Sequence, residues 1–187
     1  MEPINVAATP VILTDAWIEA WKFATDAHHG QTVPGCERPY LCHIGAVVIE
    51  LLAAHAAAPI DDIHLAVVCA ALHDCIEDQG VSAATLCDKF GPAVAAGVQA
   101  LSKNPSLAKH HAMADSLERI RKEPKAIWCV KMADRITNLA PPPAHWSPEK
   151  TAAYRNEART ILDALRDAHP VLAARLEQKI EHYPPSA

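Results

Sequence analysis

The chain has 187 residues, 50% of them apolar and 21% charged, with a formal net charge of −5. That length suits a single domain around one core, and the acidic balance excludes a general nucleic-acid binder, which would carry a basic surplus on one face. No apolar run approaches the roughly 20 residues that span a bilayer. Met1 to Leu13 also lacks the charged and long apolar regions of a signal peptide, so a cytoplasmic chain with no membrane partner is expected.

Caps, prolines and a 3.6-residue apolar period predict an all-α fold of about nine helices, and strand-forming runs are scarce. The first helix, 15–29, has Thr14 as its N-cap, and Thr32 to Pro39 follows as a loop punctuated by Pro34 and Gly35. Helices over 41–57 and 61–76 come next, the second capped by Asp61. Then come 82–89 after Ser82, 91–101 with Pro92 in its first turn, 107–122, and 125–139 after Pro124. Pro141-Pro142-Pro143 must end that last helix. Pro148 and Pro170 open helices over 148–168 and 170–182, and Tyr183 to Ala187 reads as a frayed tail. There is no internal repeat and no linker, which predicts one domain over 1–187 with its core at roughly 14–168. The six cysteines show no CxxC pair, and several lie in apolar helical stretches, so reduced, buried thiols are expected.

The chemistry is concentrated where helices that should be apolar carry polar residues. Leu65 to Leu72 is apolar on every side and reads as the central helix, and directly on its end sits His73-Asp74-Cys75-Ile76-Glu77-Asp78. Unpartnered buried charge costs several kcal/mol or more, so the cluster implies pairing or a metal. On a continuous helix His73 and Asp74 would stand about 100° apart and lean toward one ion, with Glu77 and Asp78 one turn further on and beside it. A second helix carries Asp134 on the inward stripe Ile127, Val130, Asp134, Asn138, and His43 leads the apolar run Ile44, Val47, Val48, Leu51. His43, His73, Asp74 and Asp134 thus form a candidate ligand set from three helices. Nitrogen and oxygen donors without a thiolate suit Mn²⁺, Fe²⁺, Co²⁺ or Zn²⁺.

Each signal alone is weak, since a lone His on an apolar face is usually satisfied core and a stray Asp often caps a neighbour. Their order is specific. Ala27-His28-His29-Gly30-Gln31, Pro39-Tyr40-Leu41-Cys42-His43, Ala71 to Asp78, Phe90-Gly91, Leu101-Ser102-Lys103, Val130 to Leu139, and Trp146-Ser147 with Tyr154 resemble the hydrolase domain of the RelA/SpoT-homologue family. The likeness is greatest to its small stand-alone alarmone hydrolases, within the HD-domain phosphohydrolase superfamily. It implies a single HD-type helical bundle with one divalent cation, usually Mn²⁺. The implied reaction is removal of pyrophosphate from the ribose 3′ position of guanosine tetra- or pentaphosphate (ppGpp, pppGpp). It also implies that His43, His73, Asp74 and Asp134 hold the metal, that Glu77 and Asp78 are the catalytic acids, and that Lys103, Lys131, Arg135, Asn138 and Tyr154 contact substrate.

The departures fall on base recognition. Where the family places an Arg on guanine shortly after its first Gln, this chain has Thr32 and Val33, and Arg38 is the substitute within reach of the same loop. Ile44 follows His43 where a Pro is usual, and Asn138-Leu139 leads into Ala140 and three prolines instead of a basic stretch. Adenosine substrates such as pppApp are therefore expected beside guanosine ones. The expected partner is a small-molecule nucleotide, with a homodimer as the one assembly left open. The alternatives are another HD-type nucleotide phosphohydrolase, such as a 5′-nucleotidase, and a catalytically silent alarmone sensor, against which the Glu77-Asp78 pair argues.

Overall fold

The computed structural model describes residues 9–185. They form ten α-helices and one 3₁₀ turn: α1 Thr9–Ala27, α2 Leu41–Ala57, α3 Ile63–Leu72, α4 Cys75–Gln79, α5 Ala83–Phe90, α6 Pro92–Leu101, α7 Lys109–Ile120, α8 Lys125–Asn138, α9 Pro148–Leu165, the turn Arg166–Ala168, and α10 Pro170–Glu181. The fold is all-α as expected. The only bridge among the described residues pairs Thr32 with Pro39 across the first loop.

The all-apolar segment Leu65–Leu72 is buried throughout, because α3 is surrounded by α1, α2, α6 and α8. Its N-cap is Asp62, whose side chain accepts from the Leu65 amide at 2.9 Å, and not the expected Asp61. Such a cap contributes about 1 kcal/mol. Helix α6 comes close to α3 and α8 because position 97 is glycine: a Cβ there would sit 2.6 Å from Ile127 Cδ1 and 3.0 Å from Cys69 Sγ. Ser82 caps α5 and Ser147 caps α9, and prolines open α6, α9 and α10 at their first turns.

Several expectations change. The helix expected over 61–76 is divided at His73-Asp74, where Asp74 takes φ −101° and ψ 0°; a separate short helix then runs to Gly80, whose φ of +65° ends it. Thr14 lies inside α1, which begins at Thr9, and the last turn of the helix expected over 148–168 tightens to 3₁₀. The tail is anchored through Tyr183, which is buried with its ring 6.0 Å from that of Tyr154. Cys69, Cys75 and Cys129 are buried, but Cys42 and Cys87 are exposed and Cys36 is intermediate; all six are free thiols. The expectation about the chain's start falls largely on residues 1–8, which lie outside the described residues.

Candidate metal centre and adjoining cavity

Three helices deliver the cluster. His43 is the third residue of α2, His73 caps the end of α3, and Asp134 sits in the last turns of α8, all three buried. Each offers a ligand atom within 4.8 Å of the others, and among the described residues this is the one group of His, Cys, Asp or Glu that could hold a metal ion. Asp74 closes on the same point, its Oδ2 2.8 Å from His73 Nε2 and 3.7 Å from His43 Nε2.

The surrounding hydrogen bonds favour a cation. His73 Nδ1 donates to the Ala70 carbonyl at 2.8 Å, which leaves the Nε2 lone pair facing inward. Thr137 donates its hydroxyl to the Asp134 carbonyl at 2.8 Å, so at 3.3 Å it accepts from His43 Nδ1 and turns that ring's Nε2 inward too. The two Nε2 atoms lie 3.3 Å apart, with Asp134 Oδ1 3.5 Å from one and 3.8 Å from the other. Two lone pairs and two carboxylates facing one point are mutually satisfied by a positive charge there. Burial opposes charge on Asp134, but Lys131, then His43 and His73, outweigh it and hold its carboxyl well below the ordinary range. Burial also opposes charge on His73 and Asp74, and their mutual contact again wins, raising the imidazole and lowering the carboxyl, so a cation would take the Nε2 lone pair in competition with a proton.

A second ring of residues positions these groups. Tyr40 donates to Asp74 Oδ2 at 2.6 Å, and burial together with that carboxylate keeps its hydroxyl protonated. Lys131 Nζ contacts Asp134 Oδ2 at 3.1 Å, and Asn138 donates to Asp134 Oδ1 at 2.5 Å. Glu77 and Asp78 lie beyond the cluster on α4. Glu77 accepts from the Lys103 amide at 2.8 Å and its ammonium at 3.0 Å, and Asp78 accepts from the Gln31 amide at 2.8 Å. Gln31 is held in turn by Gln79 and by His28, which stacks on Tyr40 with centroids 5.0 Å apart. Gln31 and Thr137 entered only as members of the blocks that carry the resemblance, with no role given, and Gln79 carried no signal in the sequence. Their roles depend on partners that only folding supplies.

His43 also lines a cavity of about 340 Å³, together with Val33, Pro34, Arg38, Asn138, Trp146 and Tyr154 among others. Gly35 approaches Pro143, which brings the first loop against the proline turn. Of the expected substrate contacts, Arg38, Asn138 and Tyr154 line this cavity; Lys103, Lys131 and Arg135 do not. Lys103 lines a separate groove of about 540 Å³ with Arg119 and Lys122. Lys131 is committed to Asp134. Arg135 is buried with its guanidinium 4.3 Å from the Tyr154 ring centroid and Nη2 2.6 Å from Glu157 Oε1. Among the described residues its Nε and Nη1 have no hydrogen-bond partner, an arrangement that costs about 1–3 kcal/mol for each buried group. Cys75 is buried and its thiol is pushed up to about 12, chiefly by desolvation, which disfavours the thiolate.

The chain is similar over most of its length to proteins already characterised. The guanosine-3′,5′-bis(diphosphate) 3′-pyrophosphohydrolase MESH1 of Danio rerio is 27% identical over 180 residues, covering 94% of this chain and 95% of its own. Its Drosophila melanogaster namesake is 27% identical over 146 residues, covering 76% and 79%. A solved structure described as a metazoan orthologue of SpoT that hydrolyses ppGpp superposes with a TM-score of 0.77 at 25% identity, over 89% of this chain and 94% of that one. The HD-domain family pattern matches residues 20–176. Its span takes in His43, His73, Asp74 and Asp134, and the chain belongs to the HD-domain family.

Proposed function

We propose that this single-domain chain, over 1–187, removes the 3′-pyrophosphate of hyperphosphorylated nucleotides, (p)ppGpp and (p)ppApp, giving GDP or GTP, or ADP or ATP, plus pyrophosphate. The observation that carries the reading is the junction at His43, where a cluster able to hold a metal meets a cavity lined by aromatic and apolar side chains. The names of the relatives supply the substrate class. In this reading His43, His73, Asp74 and Asp134 hold one divalent cation, with Mn²⁺ the expected ion. When bound, that cation supplies Lewis acidity toward a phosphoryl oxygen and lowers the pKa of the attacking water.

The chain's own groups do the rest. Glu77, fixed by both Lys103 contacts, takes a proton from the attacking water, and Asp78, braced by Gln31, orients it. Water adds to phosphorus, the bond to the ribose 3′ oxygen breaks, and that oxygen leaves as a hydroxyl after gaining a proton. Asn138 and Tyr154 face the nucleoside in the cavity, and Arg38 replaces the missing arginine at Val33. The cavity wall of Val33, Pro34 and Pro141 offers few groups to distinguish guanine from adenine, which supports a broad base preference. A cytoplasmic location goes with a nucleotide substrate, and no helix among the described residues is long and apolar enough to cross a membrane.

The test is product analysis with purified protein, Mn²⁺ and matched guanosine and adenosine 3′-pyrophosphates. Pyrophosphate release supports the reading. Orthophosphate release would instead identify another nucleotide phosphohydrolase, and tight binding without turnover a sensor.

A further inference from the structure

Each of the three cations that the resemblance places in contact with substrate, Lys103, Lys131 and Arg135, already has an acid against it. Lys131 meets Asp134 at 3.1 Å, Lys103 meets Glu77 at 3.0 Å, and Arg135 meets Glu157 at 2.6 Å. Asp134 belongs to the metal cluster and Glu77 to the acid pair, so neither is available to yield to a ligand. Glu157 has no such role. It lies on α9 three residues after Tyr154, and its side chain is 37% exposed while that of Arg135 is 5% exposed. Glu157 therefore stands between Arg135 and solvent.

Arg135 is otherwise arranged as an anion receptor. Its plane is held against Tyr154, a wall of the cavity, and two of its nitrogens are buried without partners among the described residues. A guanidinium takes a carboxylate or phosphate best through two parallel hydrogen bonds, yet Glu157 engages it through Nη2 alone. Burial opposes charge on Lys103, and Glu77 first, then Asp134 and Glu157, outweigh it.

We propose that Glu157 is a specificity-determining residue: its carboxylate covers the solvent-facing edge of Arg135, where a substrate phosphate would bind, and so limits the phosphate charge the site accepts. This inference rests on the phosphohydrolase reading. A more highly phosphorylated ligand must displace Glu157 or lie against its negative charge, and either route weakens binding as phosphates are added.

The experiment uses the full chain loaded with Mn²⁺ and inorganic pyrophosphate as the probe, with affinity read by titration calorimetry. Glu157→Gln should raise pyrophosphate affinity about tenfold, the scale of one charge-assisted hydrogen bond gained. Orthophosphate should gain less, and for nucleotide hydrolysis the gain should appear in KM rather than kcat. Glu157→Ser removes the charge by a second route and should give the same gain, so the test does not depend on one variant's folding. Glu157→Asp, which keeps the charge, should stay near the unmodified protein. Unchanged or weaker pyrophosphate binding in both uncharged variants, at an unaltered melting temperature, overturns the proposal. If no protein in the series hydrolyses a 3′-pyrophosphate but the affinity gain is present, the hydrolase reading fails and the charge limit stands. Turnover without the affinity gain leaves the hydrolase reading in place and removes the charge limit.

Discussion

The two flanks of His43 are built by different means. On the α3–α4 flank, Asp74, Glu77 and Asp78 project from one short stretch of backbone and are each held by a named donor: Tyr40, Lys103 or Gln31. On the other flank the cavity is assembled from a loop between two helices, a proline turn and the start of α9, with Val33, Pro141 and Trp146 drawn from distant parts of the chain. The first flank places charge to within hydrogen-bond distances. The second provides shape and apolar surface. Phosphoryl chemistry tolerates little displacement of its acids and ligands, whereas an apolar wall accepts substitutions that keep its volume. Departures from the family pattern accordingly gather on the cavity flank.

That contrast can be broken most severely at the cluster itself. Chelation of the divalent cation should abolish turnover, and an undiminished rate in protein shown by elemental analysis to be metal-free would contradict the proposed ligand set. Glu77→Gln comes next, with kcat reduced by about 10²–10⁴-fold while metal content and the melting temperature hold, since only the basic oxygen is lost. Near-normal turnover with normal metal content would remove Glu77 from the role of base. Tyr40→Phe deletes the 2.6 Å hydrogen bond to Asp74 and should weaken metal affinity by about 10–100-fold, read by competition with a metal-binding dye.

The smallest effect belongs to the cavity flank. Val33→Arg restores a guanidinium beside the base, and a cation over an aromatic face contributes about 0.5–2 kcal/mol, so the guanosine-to-adenosine ratio of kcat/KM should rise by up to about thirtyfold. Pyrophosphate affinity should not move with it. A hundredfold guanosine preference already present in the unmodified protein would mean that another residue, with Arg38 the first to examine, reads the base.

Much of this molecule was legible before its structure. The all-apolar run Leu65 to Leu72 required a surrounded helix, and the polar residues at its end and on the inward face of α8 required partners. The places where that reading failed share a cause. The helix expected through His73 and Asp74 breaks there as the Asp74 ψ flattens to 0°, while His73 Nδ1 donates to the Ala70 carbonyl. Periodicity along the chain does not report such a bond. The resemblance implied that Lys131 and Arg135 contact substrate, but each has an acid within reach in the folded chain.

What the sequence determined by itself is the helical class, the central position of α3 and the inventory of ligand-bearing residues, because caps, prolines and apolar spacing act between near neighbours. Only the tertiary structure decided which nitrogen of each imidazole faces the cluster, which acid meets which cation, and that Glu157 lies over Arg135. Thr137 orients His43 from 94 residues away, and Gln31 reaches Asp78 across 47. Contacts of that kind are chosen by how whole helices pack, since a hydrogen bond a few ångströms long exists only after the elements carrying its two ends have been brought together.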